Sequence, residues 1–203
     1  LGWRLQGHIK VELMVKKIVA IHGAFSSPVM FNYLRKSIKG YDWVFFDYHT
    51  LVNGFQDICN TALDIITEDC HVVGHSMGGL IALWLAGDVR VKSITTIATP
   101  LNGLDVNLAQ VYLSRSSFIK EVQAGSRFIR DIHAAGYPMP VQHLITTEGF
   151  NPYMNEPNDG VVTLHSQYAW NVGKVHEIAA NHSEIMQHED TVKILRQFWS
   201  TVA

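Results

Sequence analysis

Six short apolar runs, none alternating with polar residues, recur along the chain with helical stretches between them. They are Ile18–Ile21, Trp43–Tyr48, Cys70–Val73, Val91–Ala98, Gln142–Thr147 and Lys174–Ala179. A strand that faces water on one side alternates, whereas one covered on both faces does not. The pattern therefore predicts an α/β fold with about six mostly parallel strands and helices on both faces. Glycine closes two of these runs, at His22-Gly23 and Gly74. Pro28 can open a helix carrying Phe31, Leu34 and Ile38, and Phe55, Cys59, Leu63 and Ile66 form one helical stripe. Leu80–Ala86 is apolar nearly all round, as a buried helix requires, and a final helix is expected from about Ser183 to Trp199.

One interval departs from this rhythm. Between about 101 and 140 the chain carries Leu104, Leu108, Val111, Phe118, Ile119, Val122, Phe128, Ile129 and Ile132 at helical spacings and no clear strand. It reads as a helical insertion that either caps a site or packs as ordinary core. Residues 1–13 read as a leader or extension, because Met14 stands directly before the first strand, and residues 14–203 read as one domain. With 203 residues the chain can bury a sizeable core.

Charge narrows the function classes. Sixteen basic residues against 18 acidic ones leave a net charge of −2, which gives no electrostatic basis for a nucleic-acid partner. Cys59 and Cys70 are too few for a disulfide framework and lack the spacing of a zinc or redox pair, so buried free thiols are expected. No apolar stretch reaches membrane-spanning length, and Arg4, His8, Lys10 and Glu12 interrupt any signal-peptide core. A cytoplasmic location is the resulting expectation. None of the 11 histidines forms an HExxH pair, so no metal is expected.

The motif that carries chemistry is Gly74-His75-Ser76-Met77-Gly78, placed between an apolar strand and an apolar helix. In that context a GxSxG turn projects the serine hydroxyl from the carboxyl end of a sheet, at the start of a helix. A serine needs a base, and the base needs an orienting acid. His182, between the sixth strand and the last helix, is the first candidate base, with His165 as its main competitor. His176 falls within a strand and His188 within a helix. Asp159, in the Asn158-Asp159-Gly160 turn, is the first candidate acid, with Glu156 as the nearest alternative and Asp131 and Glu148 behind it. The oxyanion of an acyl-transfer intermediate would be held by the backbone N–H of Met77 and that of Ala24, with Phe25 as the fallback. Phe25 and His75 flank the serine as candidate substrate contacts. His22 and His75 also read as packing or hydrogen-bonding residues.

Together these residues resemble the α/β-hydrolase family, and within it the small lipases and esterases. The matching segments are HGAF at 22–25, VVGHSMGGL at 72–80, ATPLNG at 98–103, NDGVV at 158–162 and NHSEIM at 181–186. ATPLNG is similar to the GTPxxG segment of many lipases, with Ala98 in place of Gly and Leu101 where many have His. The resemblance implies a minimal six-stranded version of the fold and a Ser-His-Asp triad. It also implies an acyl-enzyme formed from a small-molecule acyl ester, no cofactor, and transient contact with a lipid interface. Acyl transfer, thioester or amide cleavage, and a silent binding role on the same fold remain open at this level.

Overall fold

The computed structural model describes residues 14–50, 54–104, 117–168 and 172–202. The strands are β1 (Lys17–Ile21), β2 (Asp42–Phe46), β3 (Cys70–His75), β4 (Val91–Ile97), β5 (Val141–Thr146) and β6 (Lys174–Ile178). They form one sheet in the order β2-β1-β3-β4-β5-β6, and every neighbouring pair is parallel. The helices are α1 (Asn32–Ser37), α2 (Phe55–Ala62), α3 (Met77–Trp84), α4 (Ser117–Glu121), α5 (Arg127–Ala134), α6 (Leu164–Tyr168) and α7 (Glu189–Ser200). Short 3-10 turns extend several of them, including Pro28–Phe31 before α1 and Glu184–Gln187 before α7.

Alternate residues of one strand feed two separate cores, which is why the strand sequences do not alternate with polar residues. On β1, Ile18 and Ala20 pack with Phe31, from the 3-10 turn before α1, and with Leu34, Leu195 and Trp199, from α1 and α7. Val19 and Ile21 pack instead with Phe55, Ile58, Leu80 and Ile81, from α2 and α3. Cys59 and Cys70 are buried free thiols in this second core.

Where it is described, the interval between β4 and β5 carries two short helices, α4 and α5, and no strand. Phe118, Val122, Phe128, Ile129 and Ile132 belong to the same core as α2 and α3. The Phe55 ring sits edge-on to Phe118 at 5.3 Å and to Phe128 at 4.7 Å, and Trp84 stacks on Phe128 at 5.5 Å. These five side chains pack as core, while residues 105–116 of the expected insertion, Leu108 and Val111 among them, lie outside the described residues, as do residues 1–13.

Two expected boundaries are corrected. The fourth strand stops at Ile97, because Ala98 turns into the left-handed region at φ 49°. The last helix is broken at His188, which is extended (φ −82°, ψ 138°) and is not inside a helix. Its Nδ1 accepts the Asp190 N–H at 3.2 Å, capping α7.

The chain leaves β1 for β2 on one side and reaches β3 on the other. Such a reversal of strand order opens a crevice at the carboxyl edge of the sheet. The loops after β1 and β3 meet there.

Candidate active site

Ser76 occupies the one-residue turn between β3 and α3, with φ 54° and ψ −123°. A side chain at positive φ is strained and persists only where its surroundings fix it. Here the Ser76 N–H donates to the Ile97 carbonyl at 2.8 Å, and glycines admit the close approach. A Cβ on Gly74 would lie 2.1 Å from the Gly78 carbonyl oxygen, and one on Gly78 2.2 Å from that of Ile21. One on Gly79 would lie 1.9 Å from Thr99 Oγ1. The turn, β1 and the start of α3 are therefore in backbone contact.

Met77 opens α3, so its N–H has no carbonyl four residues earlier to bond. The loop after β1 passes against the serine: a Cβ on Gly23 would sit 3.0 Å from Ser76 Cβ. Next in that loop, the Phe25 N–H donates to Thr50 Oγ1 at 3.1 Å, which leaves the Ala24 N–H as the candidate partner of Met77. Phe25 itself has φ 55°, and the residue is 57% exposed.

Asp159 and His182 are brought together. His182 Nδ1 lies 2.7 Å from Asp159 Oδ2, and the His182 N–H donates to the Asp159 carbonyl at 3.1 Å. Four more donors converge on this carboxylate. The Val161 and Val162 N–H groups reach Oδ1 at 2.9 and 2.7 Å, while Thr146 Oγ1 and Gln167 Nε2 reach Oδ2 at 2.7 and 3.1 Å. Burial alone would raise the Asp159 pKa. The hydrogen bond and charge of His182, with the Thr146 and Val162 bonds, outweigh that and hold it below the usual carboxylate range. Gly149, at φ 138°, lets the loop after β5 touch the Asp159 backbone, since a Cβ there would lie 2.2 Å from the Asp159 carbonyl carbon. Of the alternatives, Glu156, Glu148, Asp131 and His165 are exposed, and Asp131 pairs with Arg127 on the surface.

His75 is buried, and its Nε2–H donates to the His182 carbonyl at 2.8 Å. Its ring centroid lies 4.7 Å from that of His182. Burial, followed by the repulsion of His182, depresses its pKa to about 3, so it stays neutral beside the candidate base. Among the described residues, His182 bonds through Nδ1 to Asp159 and not to the Ser76 hydroxyl. In resting sites such contacts often tighten only once substrate is seated.

Sequence reasoning did not find Thr146, Gln167 or Thr50. Each is a neutral polar residue whose role depends on a partner between 8 and 25 positions away. Among the described residues, no group of three or more His, Cys, Asp or Glu side chains could hold a metal ion. No described helix is long and apolar enough to cross a membrane.

A sequence profile of the alpha/beta hydrolase family matches residues 18–182, from the second residue of β1 to the candidate base. The chain belongs to the alpha/beta hydrolase family. Several solved structures share its fold. The lipase BlEst2 of Bacillus licheniformis in its mature form is 19% identical, with 92% of each chain covered and a TM-score of 0.73. The phospholipase PlaB of Legionella pneumophila is 13% identical, with a TM-score of 0.71. That match covers 91% of this chain and 59% of PlaB, so this alpha/beta hydrolase spans about three-fifths of that protein. The monoacylglycerol lipase of Paleococcus ferrophilus is 14% identical, with 93% and 96% covered and a TM-score of 0.57. No curated protein sequence matches the chain significantly.

Proposed function

We propose that this alpha/beta hydrolase cleaves carboxylic esters through a Ser76-His182-Asp159 triad. Ser76 Oγ attacks the acyl carbonyl carbon while His182 Nε2 takes the hydroxyl proton. Asp159 holds the imidazole through Nδ1–H and balances the imidazolium that forms. The tetrahedral oxyanion is met by the N–H groups of Met77 and Ala24, fixed donors that need no reorganisation as charge develops. Collapse breaks the ester C–O bond, and His182 returns its proton to the departing alcohol. Water then adds to the acyl-enzyme by the same steps in reverse roles, releasing the acid and restoring Ser76.

The observation that carries this reading is the 2.7 Å Asp159–His182 bond, inside a carboxylate cradle, beside a serine held at φ 54°. The lipase, phospholipase and monoacylglycerol lipase among the structural neighbours support an ester as substrate. The exposed Phe25 ring, next to the candidate oxyanion donor, offers the acyl group an apolar contact. The test is hydrolysis of p-nitrophenyl esters by the wild type and Ser76→Ala, with fluorophosphonate labelling in parallel. The variant should lose at least about three orders of magnitude in kcat/KM and all labelling. Full hydrolysis by Ser76→Ala would refute the triad.

A further inference from the structure

Five hydrogen bonds converge on the Asp159 carboxylate, and two come from side chains outside the triad. We infer that Gln167, acting with Thr146, is a positioning residue for the triad acid, holding the Asp159 carboxylate so that Oδ2 has one direction left, toward His182. The inference rests on the ester-hydrolase reading above.

The geometry fixes which way the Gln167 amide points. The Thr146 backbone N–H, a donor only, lies 3.1 Å from Gln167 Oε1. The amide NH2 must then face the other way, and it lies 3.1 Å from Asp159 Oδ2. Thr146 Oγ1 is 3.0 Å from Gln167 Oε1 and 2.7 Å from Asp159 Oδ2, and its single proton goes to the nearer, charged acceptor. Val161 and Val162 occupy Oδ1. A carboxylate held this way cannot rotate without breaking several bonds at once.

Gln167 is 1% exposed, a position where an apolar side chain would be the simpler occupant. It is delivered by α6, which at five residues has little stability of its own. The neighbours tie α6 down: the Leu164 N–H donates to the Pro157 carbonyl at 2.8 Å, and Ser166 Oγ to the Gly103 carbonyl at 2.7 Å. The Asn102 N–H donates to the Ser166 carbonyl at 3.1 Å. This anchoring carries Gln167 to the acid.

The titratable side chain facing the Asp159–His182 pair from β3 is His75, which burial keeps neutral. His22, after β1, is buried and disfavours a charge on His75. Glu184, beside His182, is exposed and accepts the Asn181 N–H, while Glu148, Glu156 and His165 are exposed on the loop after β5 and on α6. Each donor from β5 and α6 to the carboxylate is neutral. Removing one leaves the anion less stabilised and raises the proton affinity of the coupled pair. The base works only when unprotonated, so the acid limb of the pH–rate profile must move to higher pH.

The experiment measures kcat/KM against pH on a p-nitrophenyl ester for the wild type, Gln167→Met, Gln167→Glu, Thr146→Val, Thr146→Ser and Asp159→Asn. Gln167→Met and Thr146→Val should each lower kcat/KM by about tenfold and shift the acid limb upward. Gln167→Glu should shift it further, because a second carboxylate then faces the first. Thr146→Ser, which keeps the hydroxyl, should restore both the rate and the limb. An acid limb that stays at its wild-type position in the Gln167 variants overturns the inference, even where stability or kcat falls. Should Gln167→Met fail to fold, the Thr146→Val and Thr146→Ser pair decides by the same criterion. An Asp159→Asn variant with wild-type activity would instead overturn the triad reading itself.

Discussion

Gly78 offers a perturbation whose size can be worked from the structure. An added Cβ would lie 2.2 Å from the Ile21 carbonyl oxygen and 2.5 Å from that of His22. Ordinary contact begins at 3.4 Å, so the start of α3 must withdraw from β1 by about 1.2 Å. Strand β1 cannot yield, because it is paired along its length with β2 and β3. The Met77 N–H moves with the helix, while Ala24 stays with the loop after β1, so the two candidate oxyanion donors separate. A displacement of about 1 Å in a reacting constellation costs on the order of a hundredfold in rate. Overpacking of this kind also destabilises by roughly 1–3 kcal/mol. Gly23 is the control: its Cβ would meet Ser76 Cβ at 3.0 Å and His75 Nδ1 at 3.2 Å, where a few tenths of an ångström suffice. Gly78→Ala should therefore lose about two orders of magnitude in kcat/KM and in fluorophosphonate labelling rate. Gly23→Ala should stay within about tenfold of the wild type, because the shift it demands is a fraction as large. Circular dichroism and thermal melts would establish that both variants fold. A folded Gly78→Ala protein labelled at the wild-type rate would refute the claim that this contact sets the oxyanion geometry.

Two further outcomes follow from buried and strained positions. Burial depresses the pKa of His71 and of His143 to about 4, whereas the unfolded chain takes up these protons near pH 6.5. Stability should hold above that pH, decline as pH falls toward 4 by on the order of 3 kcal/mol for each histidine, and then level off as far as these groups go. Urea midpoints across that window measure it, and a flat profile would contradict neutral burial. Ala98 sits at φ 49°, and its N–H is bonded to the Leu144 carbonyl, so Ala98→Gly should relieve the strain with that bond kept. A gain of up to about 1 kcal/mol is expected, net of the added freedom of the unfolded chain. A clear loss in the unfolding midpoint would show that strain is not what Ala98 contributes.

The sheet was legible because both of its faces are covered: runs such as Ile18–Ile21 and Cys70–Val73 carry their burial in the residue types themselves. The serine turn was legible for a similar local reason, since Gly74, Gly78 and Gly79 are where backbone meets backbone or a side chain within a few residues of Ser76. His188 was misread because apolar spacing continues through Ile185, Val192 and Leu195 across a cap that interrupts the helix. Gln167 was illegible for the opposite reason. Its composition signals a solvated surface, and only the folded juxtaposition of α6 with β5 shows that both ends of its amide are spoken for. Periodicity reports what a residue avoids, namely water. It does not report which polar partner a buried polar residue has found.

The distribution of backbone strain ties the site to the sheet. Three described residues other than glycine have positive φ: Phe25, Ser76 and Ala98. Ser76 and Ala98 directly follow β3 and β4, and Phe25 lies in the loop after β1, so all three stand at one edge of three adjacent strands. Each such conformation costs of order 1–3 kcal/mol and would relax if its surroundings allowed. The surroundings do not allow it: the Ser76 N–H is bonded to Ile97, the Ala98 N–H to Leu144, and the Phe25 N–H to Thr50. Each of the first two bonds continues a strand ladder one residue past its end, so the pairing energy of the parallel sheet holds the turn. Strain here is a consequence of making a strand stop abruptly while its neighbour continues to pair. The same abruptness puts the Ser76 hydroxyl and the Met77 N–H at the edge of the sheet, clear of the backbone bonding that surrounds them.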